Sequence, residues 1–555
     1  MVTGGRLLVD CLIRNGVDFM TCVPGESFLA ILDGIYDAQR ASNSAVPRLV
    51  TTRHEAAAAN MAEAAGKLTG RPAACFVTRG PGAMHASIAV HTAYQDGTPM
   101  LLVIGQVARH TRGREAFQEM DYAAVFGSTT KLVVEIQDAD RIPEHVARAL
   151  YLTTVGRPGP VVLVVPEDVL SELSAVEPLL VPVEQSPAAS AADASSLAVL
   201  FAAAERPFVI VGGPQWDATT GRNLVAFAEA NGIPIAAAFR WQDAVDNRSG
   251  SYVGYLGPGC SPLLRSRALE ADLLVAFGPR LDDPTTHGFE LTEPQGRGRK
   301  TVVVANDAAE AVSAFIPDVV ITSPLCSLAR HLADEALDHS AARMSWTRRL
   351  REEYERFSMP PAIDDTVDLG QIVRHVRAEV PDEAIVTNGA GNYAVWLQRF
   401  FEFREYGTQL APRNGAMGYG LPAALSAALL RPGASVTAFV GDGSMLMSGS
   451  ELATAVRENL SVVIIVVNNS MFGTIRMHQE QRYPGRVIAT GLNNPDFVLY
   501  AESFGVAGWL VRATDEFPAA FAAARAHDGP ALIEIRTDPR RLTPDIRLPS
   551  GSPVP

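Results

Sequence analysis

Short apolar runs recur along the whole chain and alternate with longer stretches of helical character. Within each run the hydrophobicity is continuous rather than alternating, which is typical of strands buried on both faces of a parallel sheet. This repetition of strand and helix predicts an α/β fold built from doubly wound parallel sheets. The clearest strand candidates lie at 73–77, 99–105, 159–166, 207–213, 271–278, 435–443 and 461–469.

Two stretches of linker composition divide the chain, which at 555 residues is too long for a single hydrophobic core. The first, about 167–195, is rich in Pro, Ala and Ser. In the second, about 337–366, a charged helix-like run precedes a Pro-Pro pair. We therefore predict three α/β domains, over 1–170, 193–335 and 367–545.

The composition limits the classes of partner. Hydrophobic residues make up 47% of the chain, and the net charge of −14 argues against nucleic acid and anionic membranes as ligands. The apolar runs are far shorter than the roughly 20 residues of a membrane span. Five scattered cysteines without a C-x-x-C pair fit a reducing compartment, and Asp10 interrupts the apolar run Leu7–Ile13, which predicts no signal peptide. We expect a cytoplasmic protein with a small-molecule substrate.

A Gly-Asp-Gly turn and an Asn-Asn pair follow two successive buried strands, with a helix predicted between them from about Gly449 to Asn459. Because the carboxyl ends of parallel strands meet at one edge of a sheet, Asp442 and Asn469 should emerge together. A carboxylate, an amide oxygen and a loop carbonyl suit Mg²⁺, which ligand phosphates usually complete. Each dipeptide alone is an ordinary turn former, so the prediction rests on their combination.

Asp442 and Asn469 are separated by 27 positions, and this spacing resembles the signature of thiamine diphosphate-dependent enzymes. The resemblance implies pyrimidine-binding, middle and diphosphate-binding domains in that order. It also implies that Asp442, Asn469 and the Met471 carbonyl hold Mg²⁺. The cofactor-binding residues that it implies are Glu55, Gly391, Asn392, Tyr393, Gly415, Met417, Gly441, Asp442, Gly443, Ser444, Asn469, Met471, Phe472 and Gly473.

Glu55 lies in the first turn of a predicted helix that follows a strand. A glutamate there often only complements the helix dipole. The resemblance implies more, because the matching glutamate of the family bonds N1′ of the aminopyrimidine and promotes loss of the thiazolium C2 proton. In the family this glutamate and the metal site come from different subunits. A homodimer is therefore the smallest functional unit expected, and a homotetramer the expected assembly.

Two further segments resemble cofactor-binding loops of the family. In "RNGAMGYG" the Gly415 carbonyl would accept from the 4′-amino group, and Met417 would wedge beneath the cofactor, although methionine more often fills core gaps. In "GAGNYAVW", Gly391, Asn392 and Tyr393 would form a diphosphate loop, although such dipeptides also mark ordinary turns.

The first block resembles the acetohydroxyacid synthase branch of the family in the order and spacing of "VPGES", "TRGPGAMHA", "AYQDGTPM" and "AFQEMD". Glu26 stands where decarboxylases of the family often carry an acidic residue, and Gln118 would face the substrate from the neighbouring subunit. His54 and His85 are open to two interpretations, as structural histidines or as proton carriers.

Two positions depart from true acetohydroxyacid synthases. Their "FDDR" arginine, which reaches towards FAD and the acceptor carboxylate, is Pro284 here, and this removes a strong bidentate contact. Their tryptophan after the Asn-Asn pair aligns with His478. Gly212-Gly213 follows a middle-block strand without a G-x-G-x-x-G motif, so FAD or a CoA/ADP moiety there lacks motif support.

The favoured function is a carboligase or decarboxylase acting on a 2-oxoacid, with an acceptor other than that of the biosynthetic synthases. The predicted catalytic residues are Glu55, Gln118, Met417, Glu26 and His478. One alternative is a C–C lyase such as a 2-hydroxyacyl-CoA lyase. Others are a non-catalytic thiamine diphosphate-binding regulatory protein and a nicotinamide- or flavin-dependent oxidoreductase.

Overall fold

The computed structural model of the protein describes residues 1–40, 47–183, 190–292, 298–549, 551–552 and 554. Backbone contacts divide the chain into two compact units. Unit one comprises Met1–Glu184, Pro412–Pro432 and Ser444–Leu460. Unit two comprises Gln185–Ala411, Gly433–Gly443 and Ser461–Pro555.

Unit one contains a parallel sheet of six strands in the order β2-β1-β3-β4-β6-β5. These strands are β1 (Phe19–Cys22), β2 (Arg48–Thr51), β3 (Ala73–Val77), β4 (Met100–Gln106), β5 (Leu132–Glu135) and β6 (Pro160–Pro166). Every residue of β3, β4 and β6 is buried, as the continuous apolar runs predict. A short antiparallel pair, Val2–Thr3 with Leu173–Ser174, lies apart from this sheet.

Helices pack on the sheet of unit one, and two of them come from late in the chain. Helix Glu55–Thr69 is rich in alanine. Its Gly66 lies against the segment that follows helix Pro81–Asp96, because a Cβ on Gly66 would be 2.1 Å from the Pro99 carbonyl oxygen. Small residues therefore allow this close packing. The helices are Gly4–Arg14, Leu29–Arg40, Glu55–Thr69, Pro81–Asp96, Tyr122–Phe126, Ile142–Thr154, Glu167–Ser171, Gly420–Leu430 and Leu452–Arg457.

The middle sheet, in unit two, has the parallel order β9-β8-β7-β10-β11-β12. Its strands are β7 (Pro207–Val211), β8 (Ile235–Ala237), β9 (Tyr252–Tyr255), β10 (Leu273–Phe277), β11 (Lys300–Ala305) and β12 (Val319–Thr322). Counted along the chain this order is 3-2-1-4-5-6, as in dinucleotide-binding folds.

The third sheet, also in unit two, has the parallel order β14-β13-β15-β16-β18-β17. Its strands are β13 (Ile385–Asn388), β14 (Gln409–Leu410), β15 (Val436–Gly441), β16 (Val463–Asn468), β17 (Ala507–Val511) and β18 (Ala531–Arg536). The first and third sheets share the order 2-1-3-4-6-5, which places a topological switch point between strands 1 and 3. Loops after β1 and β3, and after β13 and β15, therefore border the crevices where ligands bind such sheets.

The helices of unit two cover both of its sheets. They are Ala191–Ala203, Ala218–Asn231, Pro262–Glu270, Asp283–Thr286, Ala308–Ala311, Leu325–Ala333, Ala341–Phe357, Leu369–Glu379, Tyr393–Phe400, Gly473–Arg482, Phe497–Glu502 and Phe517–Ala526. Helix Ala341–Phe357 lies in the second predicted linker, yet Trp346 is buried and donates to the Pro207 carbonyl at 3.0 Å. This segment thus packs on the middle sheet. Part of the first predicted linker, 184–189, falls outside the described residues.

Three parallel sheets confirm the predicted α/β class. Helical structure does begin at Gly449 as predicted, with a 3-10 turn Gly449–Glu451 that leads into the short helix Leu452–Arg457. The separate helix Asp442–Ser448, directly after β15, was not predicted. In the part of the chain that the structure describes, every helix is too short or too polar to cross a membrane.

Candidate functional site

The ends of β15 and β16 bring the predicted metal ligands to one edge of the third sheet. The two strands are parallel neighbours with Gly441 opposite Val467, so Asp442 and Asn469 both follow at the carboxyl edge. Asp442 is 4% exposed. The backbone after Asn469 turns through Ser470, whose φ of 56° lies in the left-handed region, and Met471 then donates its N–H to Asn469 Oδ1 at 3.2 Å.

Asn494 joins the two strand ends and was missed by the sequence analysis. Its Nδ2 donates to Asp442 Oδ2 at 2.8 Å and to Asn468 Oδ1 at 3.0 Å. The other Asp442 oxygen accepts from the Gly443 N–H at 2.9 Å. The available signal was a second Asn-Asn pair at 493–494, which looks like an ordinary turn.

Burial raises the pKa of Asp442, although the hydrogen bonds from Asn494 and Gly443 oppose this effect. A cation beside the carboxylate would favour its charged form and remove the cost of burying it. The donor set consists of carboxylate, amide and carbonyl oxygens, which are the ligands that Mg²⁺ prefers. The residues present therefore fit the predicted metal.

Several buried polar atoms around the predicted diphosphate loops lack a protein partner within the described residues. In unit two these are Asn494 Oδ1 and Asn388 Oδ1. In unit one the buried hydroxyl of Ser444, the residue after Gly443, also lacks a protein partner among the described residues. Because buried polar groups are almost always hydrogen-bonded, these atoms fit loops that bind a polar ligand.

Glycines leave room for aromatic and amide side chains at this edge. A Cβ on Gly443 would lie 2.8 Å from Phe472 Cε1, and one on Gly473 would lie 2.9 Å from Asn469 Nδ2. Such contacts are too short for real side chains, so a larger residue at either position would force Phe472 or Asn469 to shift. Their predicted contact with a diphosphate stays a prediction.

Tyr393 supports the Gly391 loop rather than pointing to solvent. Its hydroxyl accepts from the Gly389 N–H at 3.0 Å, and burial raises its pKa to about 12. A Cβ on Gly391 would lie 2.8 Å from the Tyr393 ring, and one on Gly441 would lie 3.0 Å from it. Asn392 Oδ1 accepts from the Thr474 hydroxyl at 2.8 Å, which links this loop to helix Gly473–Arg482.

In unit one, Glu55 is the first residue of helix Glu55–Thr69, as predicted. His54 caps this helix, because its Nδ1 accepts from the Ala56 N–H at 3.1 Å. His85 Nδ1 lies 2.8 Å from Glu55 Oε2, and the two imidazole rings stack with centroids 4.5 Å apart. Sequence alone left both histidines open, and the structure distinguishes a capping His54 from a His85 that contacts Glu55.

A buried carboxylate, Glu451, holds the backbone just before Glu55. Its Oε1 accepts from the N–H groups of Arg53 at 3.0 Å and His54 at 3.1 Å, and its Oε2 accepts from the Thr454 hydroxyl at 2.6 Å. Burial raises the pKa of Glu451. The sequence analysis missed this residue because a glutamate in a helical stretch is usually solvated.

Glu26 and Gln118 lie in loops at the carboxyl edge of the first sheet. Glu26 follows β1 and is exposed, in the short turn Glu26–Phe28. Gln118 has a φ of 65° and packs against Gly80, which follows β3. Arg79 donates from Nε to the Phe117 carbonyl at 3.2 Å and so ties the Gln118 loop to the end of β3.

The loop of Gly415 and Met417 is bound to helix Pro81–Asp96. Asn414 Nδ2 donates to the Thr92 hydroxyl at 3.0 Å, and the Arg413 N–H donates to Asp96 at 2.9 Å. Gly415 has a φ of 72° and is exposed, and Met417 is half-buried. The structure thus keeps both predicted residues near a surface instead of placing Met417 in the core.

Glu63 is fully buried between helices of unit one. Tyr419 donates to its Oε2 at 2.6 Å and Thr98 to its Oε1 at 2.8 Å, while Lys67 and Asp96 form an ion pair at 2.5 Å. Burial raises the pKa of Glu63 to about 7, with Asp96 adding to the rise and Lys67 opposing it.

We expect Glu63 to make stability depend on pH. At pH values between 4.5, the ordinary pKa of Glu63, and about 7, the folded state binds more protons at Glu63 than the unfolded state. The stability that protonated Glu63 contributes is therefore lost as pH rises through this range. The free energy of unfolding of the wild type minus that of Glu63→Gln should fall across this range by on the order of 3 kcal/mol. Urea unfolding of both proteins at several pH values checks this, and a constant difference would contradict it.

The two departures from the synthases lie in unit two. Pro284 stands in the first turn of helix Asp283–Thr286, where its missing N–H costs nothing, and Asp282 caps that helix. His478 is exposed on helix Gly473–Arg482, next to Met477, which packs on the cluster of Met471, Leu542 and Leu548.

A buried carboxylate and two amides thus lie at the edge of the third sheet, and Glu55 begins a helix of the first sheet's unit. This is the arrangement that the resemblance to thiamine diphosphate-dependent enzymes implies. Comparison with known proteins agrees. The N-terminal TPP binding domain of thiamine pyrophosphate enzymes matches residues 2–125, the central domain matches 194–332, and the C-terminal TPP binding domain matches 389–535.

Curated relatives resemble the chain over nearly its whole length. An acetolactate synthase large subunit of Parasynechococcus marenigrum is 32% identical, with 96% of this chain and 87% of the relative covered. An acetolactate synthase of Bacillus subtilis is 30% identical, with 96% and 93% covered. The acetolactate synthase isozyme 2 large subunit of Escherichia coli is 28% identical, with 97% and 96% covered.

The chain therefore belongs to the thiamine pyrophosphate enzyme family. The predicted resemblance to its acetolactate synthase branch is confirmed, as is the prediction of an enzyme of the carboligase or decarboxylase type. The three domain matches fall within 1–170, 193–335 and 367–545.

Proposed function

We propose that the protein is a Mg²⁺- and thiamine diphosphate-dependent carboligase that takes a 2-oxoacid as donor, releases CO₂ and joins the remaining fragment to a carbonyl acceptor. The observation that carries the proposal is the edge formed by Asp442, Asn469 and Asn494, where a buried carboxylate has oxygen-donor neighbours suited to Mg²⁺. The acetolactate synthase relatives support the donor class.

The residues that would hold the cofactor divide into three groups by role. Asp442, Asn469 and the Met471 carbonyl would bind Mg²⁺, and the Ser444 hydroxyl would donate to the diphosphate. Gly391, Asn392, Gly441, Gly443, Phe472 and Gly473 would line the diphosphate loops, with Tyr393 as their support. When bound, thiamine diphosphate supplies a nucleophilic carbon and an electron sink for the carbon that loses CO₂.

Glu55 is the residue that we assign to proton chemistry. It stands at the start of a helix, held from behind by Glu451 through the His54 N–H, and it would bond N1′ of the aminopyrimidine. The Gly415 carbonyl would accept from the 4′-amino group, and Met417 would support the cofactor from below. Rigid placement of Glu55 matters because general acid–base catalysis requires hydrogen-bond distance to the reacting proton.

Gln118 and Glu26 are the polar side chains that we assign to binding the donor and acceptor substrates. Both stand on loops at the carboxyl edge of the first sheet. Pro284 cannot form a bidentate bond to an acceptor carboxylate, and His478 replaces an aromatic wall with an ionisable ring. We therefore propose an acceptor substrate other than the 2-oxoacids of the biosynthetic synthases. We also propose that His478 lies along the route by which this acceptor reaches the site.

A second subunit is needed to complete the site in this proposal. Glu55 lies beside Gly82 in the first turn of helix Pro81–Asp96, whereas Asn414 reaches Thr92 near the other end. Since about ten helical residues separate these contacts, Glu55 and the Gly415 loop lie roughly 15 Å apart along that helix. A homodimer would let each chain complete the other's site, and a cytoplasmic homotetramer is the assembly that we expect.

Exposed apolar side chains on the same helix support such a dimer. Met84 is 43% and Ile88 is 38% exposed, and their spacing of four residues places them on one helix face. Contiguous apolar surface of this kind usually marks an interaction site.

Our proposal gives no catalytic part to FAD or a CoA/ADP moiety. The glycines after β7 are explained by the approach of two strand ends, because a Cβ on Gly213 would lie 2.3 Å from the Gly278 carbonyl oxygen. They therefore carry no argument for a nucleotide phosphate, although the strand order is that of dinucleotide-binding folds.

A product screen tests this function. Purified protein with Mg²⁺ and thiamine diphosphate should release CO₂ from pyruvate or a longer 2-oxoacid and form a hydroxyketone with an added carbonyl compound. Turnover should not change on adding 2-hydroxyacyl-CoA thioesters or FAD. Cleavage of a 2-hydroxyacyl-CoA without CO₂ release from any 2-oxoacid would overturn the proposal in favour of a lyase.

A further inference from the structure

His85 is the titratable group closest to Glu55 that the proposed function does not use. It lies on helix Pro81–Asp96, four residues after the helix start, and faces the first turn of helix Glu55–Thr69. Its Nδ1 is 2.8 Å from Glu55 Oε2, and its side chain is 51% exposed while that of Glu55 is 14% exposed.

The hydrogen-bond roles follow from the chemistry of the two groups. An ionised carboxylate has only acceptor oxygens, so Nδ1 of His85 must donate. A neutral His85 then carries its proton on Nδ1. The neighbouring His54 has the opposite arrangement, because its Nδ1 accepts from the Ala56 N–H and a neutral ring must carry the proton on Nε2.

The bond to His85 occupies one oxygen of Glu55, and the second oxygen lies beside Gly82. A Cβ on Gly82 would lie 3.3 Å from Glu55 Oε1, so this oxygen lies above a glycine. Among the described residues, hydrogen bonding to Glu55 side-chain oxygens involves Oε2 alone. One oxygen is thus held and the other is left for a ligand.

Stacking fixes the plane of the donor ring. The His54 and His85 rings have centroids 4.5 Å apart and planes inclined by 29°. Because His54 is held by the helix cap and its backbone N–H by Glu451, it gives His85 a rigid surface to pack on. The atoms of His54, Glu55 and His85 that could bind a metal lie within 4.8 Å of one another. However, Nδ1 of His54 already caps the helix, and Nδ1 of His85 already bonds Glu55.

We propose that His85 is a positioning residue that orients Glu55, holding Oε2 through Nδ1–H so that Oε1 faces N1′ of the cofactor. This inference rests on the proposed role of Glu55. A glutamate side chain otherwise rotates about three bonds, and misplacement of a catalytic group by about 1 Å costs on the order of a hundredfold in rate.

The first test uses the protein without cofactor. Histidine-selective ¹⁵N labelling, with signals assigned by His85→Asn, should show His85 as the Nδ1–H tautomer and His54 as the Nε2–H tautomer. In Glu55→Ala, His85 should change to the Nε2–H tautomer that free imidazole favours. An Nε2–H tautomer of His85 in the wild type would overturn the proposal.

The second test measures exchange of the C2 proton of bound thiamine diphosphate for deuterium. His85→Leu removes the donor and should slow exchange by about tenfold to a hundredfold. His85→Asn keeps an N–H donor and should retain more of the rate, and His110→Asn, the same change at an exposed histidine, should retain all of it. Equal rates in His85→Leu and the wild type would overturn the proposal.

The roles of Glu55 and His85 are tested separately by these variants. Full turnover in Glu55→Gln would remove the proposed role of Glu55 but leave the tautomer result standing. An inactive Glu55→Gln together with normal exchange in His85→Leu would remove only the role of His85. Circular dichroism and thermal unfolding of each variant show whether a slow rate reflects a folding defect.

Discussion

Glu55→Gln is expected to bind thiamine diphosphate and Mg²⁺ with nearly unchanged affinity and to lose at least about a hundredfold in turnover, within the range that general acid–base groups contribute. The physical reason is that an amide does not exchange a proton with N1′ as a carboxyl group does. Folding should be little affected, because His54 still caps the helix and a lost charge at a helix start costs only about 0.3–1 kcal/mol.

Steady-state turnover together with calorimetric titration of the cofactor separates these effects. Glu144→Gln is the matched control, since it neutralises an exposed glutamate in the first turn of helix Ile142–Thr154 that pairs with Arg141. Full turnover in Glu55→Gln would contradict the proposed mechanism, and loss of cofactor binding would assign Glu55 to binding instead.

Strand positions were largely predictable from the sequence, because a strand buried on both faces must be apolar throughout. The run 73–77 is β3 itself, and β15 and β16 begin within two residues of their predicted starts. Helix starts were less predictable. The helix after β15 begins at Asp442 and includes Gly443, although a Gly-Asp-Gly sequence usually indicates a turn.

Polar residues of the site were predictable only where their type and spacing are unusual. Asp442 and Asn469 follow successive strands that are parallel neighbours, so both reach the same edge of the sheet. Asn494 reaches Asp442 and Asn468 from a separate loop, and Glu451 reaches the backbone before Glu55 from a distant part of the chain. Their sequence neighbourhoods resemble ordinary turns and helices, because long-range contacts leave no local pattern.

The two histidines beside Glu55 show a further limit. His54 and His85 have the same side chain, so residue type does not separate their roles. Which ring nitrogen faces which group decides the role, and this depends on the packing of two helices.

Asp442→Asn is expected to weaken Mg²⁺ binding more than a substitution of a residue that only supports the metal ligands. Substitutions of such supporting residues typically weaken metal binding by roughly 10–100-fold. The amide keeps the volume of the side chain but lacks the negative charge that Mg²⁺ requires. Cofactor affinity should fall with it, because the metal would bridge the diphosphate. Calorimetric titration of thiamine diphosphate at several Mg²⁺ concentrations measures both effects.

Asn494→Ala is the matched comparison for this variant. Asn494 donates to Asp442 and would not itself bind the metal, so its loss should fall within the 10–100-fold range. If Asn494→Ala weakened Mg²⁺ binding more than Asp442→Asn, Asp442 would not be a direct ligand. Asn469→Ala gives a second test of the metal site should Asp442→Asn fail to fold.

Mixing the two inactive variants tests whether two chains share each site. When Glu55→Gln and Asp442→Asn chains are co-expressed and associate at random, about one quarter of shared sites receive an intact Glu55 from one chain and an intact Asp442 from the other. At a Mg²⁺ concentration too low for Asp442→Asn to bind the metal, activity should therefore return to about one quarter of wild type, although each variant alone shows little turnover. If both residues served the site of a single chain, every site would carry one substitution and the mixture would stay inactive, which would remove the shared site and leave the roles of Glu55 and Asp442 in place.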